Sequence, residues 1–194
     1  MRRRGPRVTL RAAVAVMLAI APAGCLARPP TSVAEDDAFR LELFAPSAGF
    51  EAGQPVIVSA RLTYRGPAAA VDAFGSGSGP VLFGLTQLDG PFDPGGGGDA
   101  SCARYEFRRG EPQEVAYRKS GGWSAEDPLA EAYRAFFDDP LVHLPNGVYE
   151  FTAAIELSIG ECGPADAFHG LRTAIRIVVG GQVGPIEEPR GADL

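Results

Sequence analysis

Between Val148 and Ile159 the chain alternates. Tyr149, Phe151, Ala153, Ile155 and Leu157 fall on one parity; Glu150, Thr152, Glu156 and Ser158 fall on the other. A period of two is the repeat of a strand whose side chains point to opposite faces. A strand with one apolar face must bury it against a second layer, which limits the chain to packed sheets. The pattern recurs along the sequence. Phe39, Leu41 and Leu43 alternate with Arg40 and Glu42. Val56, Val58, Ala60, Leu62 and Tyr64 alternate with Ile57, Ser59, Arg61 and Thr63. Leu171, Ile175, Ile177 and Val179 oppose Arg172 and Arg176. Shorter strands are predicted over 69–74, 81–88, 102–107 and 114–119, the last two as a pair joined around residues 108–112. Glycine (25) and proline (17) supply 42 of the 194 residues, which favours many turns and short strands over long helices. These signals predict an all-β, antiparallel sandwich of 7–8 strands.

One helix interrupts the pattern. Asp127 and Pro128 offer an N-cap and a first-turn proline, and Leu129, Tyr133 and Phe136 follow at i, i+4 and i+7. Pro140 forbids continuation and forces Asp139 out of helical geometry. The helix therefore occupies a connection, across one end or edge of the sandwich. Residues 144–147, Leu-Pro-Asn-Gly, form the turn that launches the long strand.

The N-terminus carries an address. Arg2, Arg3, Arg4, Arg7 and Arg11 precede an apolar run over 12–21, and no acid appears before position 35. Ten apolar residues are too few to span a bilayer, which needs about 20. A basic head, a short apolar middle and small residues at the exit describe a secretory signal peptide over 1–24. Ala23-Gly24-Cys25 resembles the lipobox of bacterial lipoproteins, although Pro22 stands where that pattern usually has Leu. The resemblance implies an acyl anchor on Cys25, carrying diacylglycerol and palmitate. It also implies a tether over 25–38 and residence in the cell membrane or outer membrane. Ala21-Pro22-Ala23 also fits cleavage after Ala23, which would release a soluble exported chain. Cysteine number bears on the choice. Cys25, Cys102 and Cys162 are three, and lipid on Cys25 would leave one even pair.

Loss of residues 1–24 removes five of the 18 basic residues and no acid. That leaves 13 against 24 and a net charge of −11. Nucleic acid is a poor partner for such a chain, because its phosphates are bound by clustered basic residues. Attachment to a membrane would have to come from the lipid on Cys25. Residues 181–194 are rich in Gly, Pro and acids and are expected to be disordered.

Three segments, 53–64, 118–128 and 144–153, resemble uncharacterised bacterial lipoproteins with an immunoglobulin-like β-sandwich. The likeness covers residues 39–180. A looser one is to the immunoglobulin-like domain of bacterial intracellular proteinase inhibitors. The first resemblance implies an immunoglobulin-like fold and no activity; the second implies a protease-inhibitor module. Gly147-Val148-Tyr149 also looks like the tyrosine corner of such sandwiches.

The residues themselves offer little chemistry. Cys102 and Cys162 are expected to form a disulfide, as paired cysteines of exported chains do. Cys102 shares its parity with Arg104 and Glu106, so the link is expected to staple two loops at one end rather than cross the core. Lys119 and Trp123, the single lysine and the single tryptophan, flank a glycine-rich loop. That loop is read either as a binding platform or as a place where Trp123 packs under the helix and caps the core. His143 and His169 are expected in turns or at the surface, without the clustering of a metal site. Asp93 and Asp99 flank the four glycines 95–98, in a loop expected to be mobile, at no calcium-loop spacing. The glycine stretches lack the lysine of a phosphate loop. There is no Gly-x-Ser-x-Gly elbow. The expectation is a binding or structural module of the envelope with an unidentified protein partner. No enzyme, cofactor or metal is expected; a hydrolase is the remotest alternative.

Overall fold

The computed structural model describes residues 29–163 and 168–181. The signal segment, Cys25 and the tail from 182 lie outside the described residues. The architecture is an all-β sandwich, rich in antiparallel pairing, with one helix. One sheet has the order β1 (Thr31–Glu35), β2 (Phe39–Phe44), β4 (Ser59–Tyr64), β9 (Pro112–Ala116). The other runs β3 (Gly49–Phe50), β11 (Phe168–Val179), β10 (Gly147–Ile159), β5 (Ala70–Gly75), β8 (Ala103–Arg108). Strands β6 (Leu82–Gln87) and β7 (Gly95–Gly96) complete it. The long β10 serves two partners in succession: Tyr149–Ala154 pair with β6, and Ser158–Ile159 with β5. A single parallel contact sets β3 beside the end of β11.

The faces follow the alternation. Phe39, Leu41 and Leu43 meet Ala60, Leu62 and Tyr64 from one sheet and Tyr149, Phe151, Ile155 and Ile177 from the other, all buried. Phe39 packs edge-on against Phe107 with ring centres 5.4 Å apart, and Tyr117 against Phe151 at 5.1 Å. The Tyr149 hydroxyl donates 2.8 Å back to the carbonyl of Pro145, four residues upstream, as in a tyrosine corner. Burial, with the Asp89 carboxylate adding to it, raises this hydroxyl to about 12, so it keeps its proton.

Four expectations change. The expected tether over 25–38 includes a strand, because residues 31–35 form β1, paired with β2 from Thr31↔Phe44 to Glu35↔Arg40. Strand β1 buries no side chain fully, so its apolar repeat is faint; backbone pairing holds it. Strands β8 and β9 are not a pair. They are consecutive but belong to opposite sheets, β8 on β5 and β9 on β4. The turn between them crosses the sandwich, and Gly110 supplies its left-handed φ of 78°. The glycine run is partly ordered into β7, which pairs with β6. A side chain at Gly96 would meet the backbone of Phe83 and Gly84. With β3, these additions bring the described strands to eleven.

The helix α1 (Ala130–Asp138) starts later than its capping signal suggests. Leu129 holds the N-cap position without a side-chain bond, and the Asp127 carboxylate instead accepts from the Ser124 amide at 2.5 Å. Asp139 is extended, as the proline after it requires.

Candidate functional site

Register defines two ends of the sandwich. At one end lie Thr31, the last residues of β2, β9 and β11, and the first of β4 and β10. The described chain enters and leaves here, and α1 connects strands here; we call it the entry end. The opposite end carries the β1–β2, β8–β9 and β10–β11 connections.

At the entry end Lys119 turns inward once β9 has ended. Its ammonium donates to the carbonyls of Phe136, Asp139 (2.6 Å) and Leu141, and stands 4.4 Å from the centre of the Phe136 ring. These carbonyls belong to the last turn of α1 and the chain after it, where carbonyl acceptors lack intrahelical N–H donors and the dipole favours a cation. Burial pulls the Lys119 ammonium below the ordinary lysine value, with Asp139 opposing the shift. Trp123 does not pack under the helix: it is 38% exposed, and the Arg134 guanidinium lies 5.6 Å from its ring centre. Lys119 and Trp123 therefore do not form one platform. The first is committed to the helix end, and the second lies partly exposed beside Arg134. His143 sits nearby, half exposed, with Nδ1 2.5 Å from Asp139 Oδ2. The bond from His143 leads the causes that hold the Asp139 carboxyl below its usual range.

At the opposite end His169 corrects its expected placement. It lies in β11, its side chain is 12% exposed, and its Nδ1 is 2.8 Å from Asp36 Oδ2. Asp36 Oδ1 accepts from the amides of Ala38 (2.9 Å) and Phe39 (2.7 Å). Burial raises the Asp36 carboxyl, but the bonds from Phe39, His169 and Ala38 outweigh it and hold the group below its usual range. An ionised carboxylate only accepts, so His169 Nδ1 carries the proton. Asp37 brings a third ligand-type atom, all three within 4.8 Å, the one such convergence among the described residues. Yet Asp36 spends both oxygens on amides and imidazole, and Asp37 is almost wholly in solvent. The arrangement works as a latch: with the Thr173 hydroxyl donating 2.7 Å to Ser32, it ties the β1–β2 hairpin to β11 across the two sheets.

Cys102 and Cys162 stand at disulfide distance, their Cα atoms 6.1 Å apart, on exposed positions just outside β8 and β10. Asp93 and Asp99 do not converge. Asp93 accepts from the Gly95 amide at 3.1 Å, while Asp99 gathers the amides of Gly77 (2.7 Å) and Ser101 and the Ser101 hydroxyl. The bond from that hydroxyl leads the causes that lower the Asp99 carboxyl. Between β9 and the β6–β8 side, a cleft of about 470 Å³ is lined by Leu82, Phe83, Tyr105, Val115 and Arg118. Its phenol is already spent on the Ser76 carbonyl at 2.5 Å, and Gln113 on Glu106 at 2.8 Å. No family model, curated protein or solved structure matches the chain.

Sequence reasoning missed the latch, because Asp36 and His169 are 133 residues apart. The one available signal was the aspartate pair at 36–37 just ahead of an alternating strand, where an Asx turn is favoured.

Proposed function

We propose that this chain is a cell-envelope lipoprotein that presents an immunoglobulin-like sandwich as a binding or structural module. The observation that carries the reading is cysteine geometry. With Cys102 and Cys162 at disulfide distance, Cys25 is left as the odd cysteine, directly after Ala23-Gly24. A disulfide suits an oxidising compartment outside the cytosol, and a lipid on Cys25 would remove the leftover thiol. The tyrosine-corner bond of Tyr149 supports the immunoglobulin-like assignment. No helix among the described residues is long and apolar enough to cross a membrane, so the reading assigns attachment to the lipid. The test is intact mass of the protein extracted from membranes of cells expressing the full chain. The expected product begins at Cys25 and carries diacylglycerol; a soluble product beginning at Gly24 refutes the reading.

A further inference from the structure

The outer face of the first sheet grades from uncharged to charged along its strands. Register places Thr31, Phe44, Ser59 and Ala116 in the row nearest the entry end. The next row is Val33, Glu42, Arg61 and Glu114, and the third starts with Glu35 and Arg40. The charged rows are cross-linked: Arg61 to Glu42 and Glu114, and Glu35 to Arg40 and Arg65. Around the first row a shallow depression collects Pro29, Phe44, Pro46 and Ile57, with Glu42, Arg61 and Glu114 of the second row along its far side and the Arg61 guanidinium 5.1 Å from the centre of the Phe44 ring. Ile57 is 60% exposed. The Val56 amide donates 2.8 Å to the Val142 carbonyl, which sets the segment of Leu141, 51% exposed, beside that of Ile57. Of six exposed large apolar side chains among the described residues, Ile57, Leu88, Trp123 and Leu141 belong to segments at this end. An exposed apolar rim bounded by charge marks a contact surface.

Chain length says what lies against it. Pro29 stands in the rim, and Cys25 is four residues away. Fully extended, four residues reach about 14 Å. Resting on the lipoprotein reading above, we infer that the sandwich does not hang on a leash but stands entry end down on the bilayer. The rim of Pro29, Phe44, Pro46, Ile57 and Leu141 then lies in the lipid interface. Apolar contact rather than charge holds it, since the chain from Cys25 carries a net charge of −11, from 13 basic and 24 acidic residues. A short tether keeps the local concentration of the surface high, so weak contact suffices. The opposite end, with the disulfide-distance pair and the latch, faces away from the membrane.

The test couples the chain beginning at Cys25 through that thiol to maleimide lipid in phosphatidylcholine vesicles. Hydroxyl-radical footprinting then compares it with the same chain, Cys25 blocked, among the same vesicles. Oxidation of Ile57 and Leu141 is expected to fall at least threefold on coupling, while Phe168, 57% exposed at the opposite end, is unchanged. Ile57→Glu, with its fold checked by circular dichroism, is expected to restore oxidation of Leu141. Equal protection of Phe168, or none at Ile57, overturns the inference. So does protection in the blocked chain that grows with protein concentration, which would mean that a second copy covers the rim. Coupling is chemical, so this result stands apart from whether cells place lipid on Cys25.

Discussion

The two ends of the sandwich are closed by different chemistry. The entry end is closed by burial. Phe92 packs against Tyr133, Phe136 and Tyr149, with Phe136 at 5.5 Å, and one ammonium gathers the loose carbonyls beneath the helix. The opposite end is closed by polar and sulfur links: Asp36 to His169, and Cys102 beside Cys162. Burial tolerates many sequences of similar volume and polarity, whereas a polar latch needs particular partners at particular distances. The apolar end is also the one that exposes apolar surface.

The comparison can be broken by substitution. Phe136→Ala empties the buried anchor of the entry end and is expected to cost about 3–5 kcal/mol. Chemical denaturation measures it, and a loss below that of the exposed-side change Glu150→Ala would overturn the packing described. Replacing both Cys102 and Cys162 with serine opens a loop of 61 residues and is expected to cost up to roughly 4 kcal/mol in the chain-entropy model. Non-reducing peptide mapping should first recover the two peptides linked; free thiols in the oxidised protein would remove this closure from the comparison. Lys119→Met keeps the stem but strands three carbonyls, for about 2 kcal/mol. Amide exchange localises the damage, which should appear over 130–142 and spare β11.

Acid acts at both ends, through Asp36 in the latch and Asp139 beside the helix end. A carboxylate held below its usual range stabilises the fold above the unfolded value near about pH 4, and that stability is lost as pH falls through the lower folded value. Asp36 is such a group. The thermal midpoint is therefore expected to fall on acidification below about pH 4, and less steeply in Asp36→Asn. Identical slopes would mean that the latch carries no pH-dependent stability. The smallest effect is expected from Trp123→Ala, within about 1 kcal/mol, since only the Arg134 contact and part of one ring are lost. A larger loss in thermal denaturation would show that Trp123 braces the loop.

The interior was legible because it repeats. Tyr149, Phe151 and Ile155 share a parity, and all three are buried. The exposed parity of Cys102 and the extended Asp139 before Pro140 were also readable, each from one local rule. What escaped was set by distant partners. Strand β1 carries Thr, Ser, Val, Ala and Glu, with too little apolar contrast to show a period, and exists because β2 lies beside it. The sheet change between β8 and β9 leaves no mark on either strand, since both alternate alike. Lys119 looked available because a lone lysine in a glycine-rich loop does not announce that a helix end 17 residues later will claim it.

Strand β1 also determines how the domain bears tension. It climbs from the entry end beside β2 through five register pairs, and its turn is held at the top by Asp36 and His169. A pull on the N-terminus away from the sandwich runs along the strand axis. The hydrogen bonds of an antiparallel pair lie across that axis. All the bonds of the pair therefore share such a load at once, in shear, instead of parting one after another as in a zipper. A segment that looks in sequence like slack is the stiff strap through which the rest of the molecule would be held.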